Sequence, residues 1–246
     1  VSFQLSVDTR PFTEGNIAGA ANLTGQLLNA GTTTKSKAEI DAAVDFIGAR
    51  MSTFSSGAFG STLSKHKETL LGLMSDVLFN PSFPADQLEK FKKQTISGLQ
   101  FSKDDPNTIA NNVGNVLNYG PGTALGELTT ESSIERVTVQ DCKNYYNKYF
   151  KPNIAYLVIV GDITGSDAKM VAEKYFGAWK KGDVKREQFQ APMAPKARTV
   201  DFVHKEGAVQ SVINMTYPVE FSRSSDDYVA ASLMNTVFGG FFGSRL

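Results

Sequence analysis

Residues 1–8 alternate without exception, with Val1, Phe3, Leu5 and Val7 set against Ser2, Gln4, Ser6 and Asp8. Period two over that length predicts a strand with one buried and one wetted face. The period then changes. After a loop at 9–16 that holds Pro11 and Gly15, residues 17–28 place Ile17, Ala20, Ala21, Leu23, Leu27 and Leu28 at helical spacing, and Gly31 stops the helix. Ser36-Lys37-Ala38-Glu39 is a capping box opening a second helix, with Ile40, Val44 and Ile47 on one face. Short alternation around Gly57, within residues 51–64, predicts a hairpin. Helical patterns follow over 67–79, 85–102 and 106–118, and again after Thr138 as far as Phe150. The uninterrupted apolar run Ala155–Val160, between Pro152 and Gly161, predicts a central strand, and residues 165–180 a further helix. Strand, helices, hairpin, helices, strand, helix is not a β-α-β alternation. It predicts an α+β fold, a mostly antiparallel sheet covered by helices on one face.

Residues 181–197 are polar, aperiodic and contain two prolines, which divides the chain into a first α+β domain at 1–182, a linker at 183–197 and a second unit at 198–246. In the second unit, 198–205 and 209–217 look like strands, and 224–238 like a helix capped by Ser224 or Ser225. The opening on Val1 and the close inside an apparent element read as a fragment, with 198–246 the truncated beginning of a second, similar domain. Lys+Arg and Asp+Glu both number 25, so no net charge and no basic stripe invites nucleic acid, and no apolar run reaches membrane-spanning length.

The residues offer little chemistry. The chain has two histidines, His66 and His204, each in a turn-like setting in a different unit, so composition gives no metal cluster. The one cysteine, Cys142, lies on an amphipathic helix and reads as a buried structural thiol. The acid pairs Asp104-Asp105 and Asp226-Asp227 precede helices, where they complement the dipole. Gly239-Gly240-Phe241-Phe242-Gly243 lacks the Lys and Ser/Thr of a phosphate loop. Asn22-Leu23-Thr24 and Asn214-Met215-Thr216 match the glycosylation tripeptide by chance, inside periodic segments. On the polar face of the first helix, Asn22, Gly25 and Gln26 hold the spacing at which a zinc peptidase places two histidines and a glutamate.

Taken in order, several stretches resemble the pitrilysin/insulinase family of zinc metalloproteases over nearly the whole chain. They are Leu27-Leu28-Asn29-Ala30-Gly31-Thr32, Asn80-Pro81-Ser82-Phe83, Asp104-Asp105-Pro106, Tyr119-Gly120 with Gly126-Glu127, Tyr149-Phe150-Lys151-Pro152-Asn153, Tyr156–Asp162 and Gly239-Gly240 with Ser244-Arg245-Leu246. The resemblance implies a metallopeptidase half of that α+β type. It places the inverted His-x-x-Glu-His on Asn22–Gln26, so both zinc ligands become neutral amides and the general base becomes Gly25. It places the third ligand's region near Ser97-Gly98, with no carboxylate. The implied function is therefore the inactive half of a two-part zinc peptidase, with no catalytic or metal residue in this chain. Zinc would be carried by a catalytic half or subunit of the same family, and the two would enclose an extended peptide. Arg245 matches an arginine that contacts substrate in such halves, and its companion tyrosine would lie beyond Leu246. The alternative is a structural or assembly protein that kept the fold without proteolysis.

Overall fold

A computed structural model describes residues 1–189, 193, 196–219 and 221–245. Its elements are β1 (Ser2–Val7), α1 (Ala20–Leu28), α2 (Lys37–Phe46), β2 (Arg50–Phe54), β3 (Gly57–Ser61), α3 (Lys67–Phe79), α4 (Ala85–Ser102), α5 (Pro106–Tyr119), α6 (Glu131–Arg136), α7 (Val139–Tyr149), β4 (Ala155–Val160), α8 (Gly165–Phe176) and α9 (Tyr228–Phe238). The fold is α+β, with one antiparallel sheet in the order β2-β3-β1-β4.

The alternation of residues 1–8 fixes the inside of this sheet. Phe3, Leu5 and Val7 are buried, and the register sets Phe3 opposite Gly60 and Ile159 and Leu5 opposite Ala58 and Leu157. Helices cover that face. Gly60 lies so close under α3 that an added Cβ would sit 2.6 Å from the Met74 sulfur. Leu23, Leu27 and Leu28 of α1, Leu70, Leu71, Met74 and Leu78 of α3, and Cys142 of α7 complete one core. Helix ends are satisfied as their sequences imply. Ser36 and Glu39 form the reciprocal cap of α2, Thr138 and Asp141 that of α7, and Asp105 accepts from the Thr108 N–H at the start of α5. Helix α6, which the sequence pattern gave no reason to expect, has the same device at Thr130 and Ser133.

Four expectations need correction. The run Ala155–Val160 is the sheet's outer strand: Tyr156, Val158 and Val160 point to the uncovered face and are more than half exposed. An apolar run shows that a strand is buried somewhere along its length; it does not count its neighbours. The predicted strands at 198–205 and 209–217 do not form, because a strand exists only with a partner and no described residue pairs with them. That stretch lies against the first unit through side chains alone, with Lys205 on Asp104, Asn214 on Asn111 and Thr216 on Asn118. Helix α9 begins after Asp227, which makes no side-chain capping bond, rather than after Ser224 or Ser225, and α8 stops at Phe176, short of the expected end at 180. Within the expected linker, residues 190–192 and 194–195 lie outside the described residues, as do Glu220 and Leu246. The first part of the linker is held to the first unit: Arg186 pairs with Asp8, and Glu187 accepts from the Thr13 N–H and hydroxyl.

Candidate functional site

Helix α1 carries the positions where a zinc peptidase would keep its chemistry. Its N-terminus is held by an unusual cap. The residue in the capping position is Gly19, which has φ +103 and no side chain to give. Glu14 does the work from five residues upstream, its carboxylate accepting from the Gly19 N–H at 2.9 Å and the Ala21 N–H at 2.6 Å. Glu127, from the loop after α5, accepts in turn from the N–H groups of Glu14 and Gly15 at 2.8 and 2.6 Å. Burial pushes the Glu14 carboxyl above its ordinary range, its two backbone hydrogen bonds oppose that rise, and the nearby Glu127 charge adds to it. A Cβ at Gly19 would also meet the tip of the Ile134 side chain of α6 at 2.5 Å, which adds to the preference for glycine that its φ of +103 sets. An open cavity beside this cap is lined by Thr13, Gly15, Val116, Gly126, Glu127 and Leu128.

Along α1 the three positions behave differently. Asn22 is exposed and Gln26 half-buried. They stack one turn apart, the Gln26 amide N–H donating to Asn22 Oδ1 at 3.0 Å. Gly25 does not share their open face. It is buried, and a Cβ built on it would stand 2.4 Å from both Phe54 C and Ser55 N. The Thr53 hydroxyl donates to its carbonyl at 2.6 Å, tying α1 to the end of β2. The base position is thus occupied by the backbone of the β2–β3 hairpin, and no carboxylate fits there without moving it. Thr24, the third residue of the chance glycosylation tripeptide, is fully buried and donates to the Ala20 carbonyl. Beyond α1, Gly31 (φ +141) turns the chain into a segment pinned by Asp76, which accepts from the hydroxyls of Thr32 and Thr34 at 2.8 and 2.7 Å and from the Asn80 amide at 2.9 Å.

The other sequence-predicted residues do not converge on α1. Ser97 and Gly98 sit on the exposed side of α4, with nothing within 4 Å of a Cβ at Gly98. His66 is at the start of α3 and His204 is exposed on the 198–217 stretch. Among the described residues no group of three or more His, Cys, Asp or Glu side chains is placed to hold a metal ion. Cys142 is buried and burial raises its thiol, so it is a packing residue and a poor nucleophile. Arg245 is exposed beyond α9, its backbone N–H returning to the Val237 carbonyl at 3.2 Å. The Glu14–Glu127 chain was missed by sequence reasoning. The only signal was the pair of acids flanking two glycine-containing loops, and their meeting across 113 residues is a tertiary fact.

A family model described as the Peptidase M16 inactive domain matches residues 136–246. The crystal structure of a peptidase M16 inactive domain from Pseudomonas fluorescens superposes with a TM-score of 0.79 at 25% identity, covering 99% of this chain and 60% of that one. Over residues 136–246 the chain is similar to the inactive domain of M16 peptidases. An uncharacterized zinc protease of Bacillus subtilis, YmxG, is 26% identical over 240 residues, 94% of this chain and 56% of its own length. A protein named non-peptidase homolog YmxG from Helicobacter pylori is 23% identical over 185 residues, covering 75% of this chain and 42% of its own. Pitrilysin shares the fold, with a TM-score of 0.64 at 13% identity over 78% of this chain and 22% of its own. The chain spans about half the length of the curated relatives it matches. No helix among its described residues is long and apolar enough to cross a membrane.

Proposed function

We propose that this chain is the non-catalytic half of a two-part zinc metallopeptidase, which encloses and binds an extended peptide while a partner half carries zinc. The observation that carries this reading is Gly25. The helix that bears the chemistry in active relatives is present, capped and packed, yet its base position is closed by the hairpin backbone, while its polar face stays open to solvent through Asn22 and Gln26. Such a helix is retained for its surface. Residues 198–246 are read as the beginning of a second, similar α+β domain joined through the linker at 183–197. In support, α9 has no buried residue, and it exposes Val229, Leu233, Met234 and Val237 as a face that a sheet would cover. Arg245 is assigned to substrate contact in the assembled pair.

The test is peptidase activity and zinc content of this chain alone, then mixed with a His-x-x-Glu-His protein of the same family from the same source. Cleavage only in the mixture, lowered by Arg245→Ala, supports the reading; cleavage or stoichiometric zinc in the isolated chain refutes it. One relative favours a second reading, that of a structural subunit. The mitochondrial cytochrome b-c1 complex subunit 1 of Caenorhabditis elegans is 24% identical over 164 residues, 65% of this chain and 35% of its own. A stable complex that cleaves nothing would select it.

A further inference from the structure

We infer that the Asn22–Gln26 pair on α1 is itself a binding site for polypeptide main chain, in place of the metal its positions hold in active relatives. The inference rests on the peptide-binding reading above and names the contact. Each amide side chain has one donor group and one acceptor oxygen. The bond from Gln26 Nε2 to Asn22 Oδ1 uses one of each and orients the two amides toward one another. That leaves the Asn22 Nδ2 amide as a donor and the Gln26 Oε1 oxygen as an acceptor, on a face where Asn22 is exposed and Gln26 half-buried. A residue in an extended chain presents its N–H and C=O toward the same side, and an antiparallel neighbour satisfies both at once. The amide pair offers the same complement: Nδ2 donates to the peptide carbonyl and Oε1 accepts from the peptide N–H.

The surroundings suit such a ligand. The pair is held in place from beneath. Leu23 and Leu27 are fully buried, Thr24 donates back to Ala20, and Gly25 is clamped by Thr53 against the end of β2. Two oriented amides on a rigid helix lose little side-chain entropy on binding. No charge is involved, so recognition is of backbone and independent of peptide sequence.

The test measures fluorescence anisotropy of a short, uncharged, unstructured fluorescein-labelled peptide with the full chain, alone and with the zinc-binding half. Asn22→Asp keeps the acceptor for Gln26 but removes the free donor, and Asn22→Ala/Gln26→Ala removes the pair. Each is expected to weaken binding about ten-fold, the worth of one or two net hydrogen bonds. The same peptide N-methylated at alternate backbone amides should bind the native chain about ten-fold more weakly and show no further loss with the double variant. Binding unchanged in both variants overturns this inference and leaves the peptide-binding reading standing. No binding to the chain, with or without its partner half, overturns both.

Discussion

Replacing Gly25 with alanine separates the packing argument from helix propensity, because the two make opposite predictions. In a helix interior, alanine is more favourable than glycine by about 1 kcal/mol. At Gly25 the new methyl would lie 2.4 Å from Phe54 C and Ser55 N and 2.7 Å from Phe54 Cα. Ordinary carbon contacts are about 3.5–4 Å, so roughly 1 Å of separation must be found between a helix and a strand backbone. Neither is a flexible side-chain end. Overpacking of this kind costs about 1–3 kcal/mol or more, and the shift also strains the Thr53–Gly25 hydrogen bond, worth about 1 kcal/mol. The net expectation is a loss of about 2 kcal/mol, a fall in Tm of roughly 4–8 °C for a domain of this size. The matched control is Gly98→Ala, also in a helix interior but with nothing within 4 Å of the new methyl. It should gain about 0.5–1 kcal/mol and raise Tm by roughly 1–4 °C. Thermal melts followed by circular dichroism read both. If Gly25→Ala melts at or above the native chain, the base position is not closed, and the argument that α1 has lost catalysis structurally fails.

Four further outcomes follow from the same contacts. Burial would raise the Asp76 carboxyl, but hydrogen bonds from Thr34, Asn80 and Thr32 together hold it below its ordinary value. A depressed carboxylate stabilises the fold above its unfolded pKa, so this contribution is present at neutral pH and is lost as pH falls from about 4 through the folded value. Asp76→Ala should cost about 2 kcal/mol at pH 7 in urea unfolding and remove that part of the acid limb. Glu14 has the opposite sign: with its carboxyl raised, its contribution declines as pH climbs from the ordinary carboxylate value through the folded one. Glu127→Gln removes a repelling charge and should move the Glu14 carboxyl carbon titration in NMR back toward the ordinary range; an unmoved titration would mean the two carboxylates are not coupled. Tyr146 donates to the Leu78 carbonyl at 2.6 Å, and burial pushes its phenol up to about 12. Tyr146→Phe should therefore cost about 1–2 kcal/mol, and the native phenol should stay un-ionised in ultraviolet titration at pH 10. Cys142 should resist thiol reagents in the folded chain and react fully in denaturant; rapid labelling under native conditions would contradict its burial.

The elements that local pattern could define were legible. The capping box at Ser36, the cap at Thr138 and the breaks at Pro81 and Pro84 gave α2, α3, α4 and α7 nearly to the residue, because a helix is stabilised by neighbours within one turn. Strand partners were not legible. The run Ala155–Val160 looks the same as a sheet centre or as an edge, and 209–217, which alternates except at Ser211 and Val212, has no strand partner among the described residues. At the candidate site, Asn22 and Gln26 sit together as the four-residue spacing required. Gly25 was placed beside them on the polar face by the same spacing. Its burial depends on where the hairpin lands, which no spacing within the helix encodes.

The sequence alone determined that Asn22 and Gln26 offer only neutral amides and that Gly25 offers no proton acceptor, since what an amide or a glycine can ligate is a property of the side chain wherever it is placed. It also determined the bounds of the helices whose caps and breaks lie in the local sequence, α2, α3, α4 and α7. Only the tertiary structure decided that the base position is sealed by backbone, that Glu14 and Glu127 jointly cap the helix, and which strand lies at the edge of the sheet. Each of these is a contact between segments tens of residues apart, and such contacts are set by how whole elements pack.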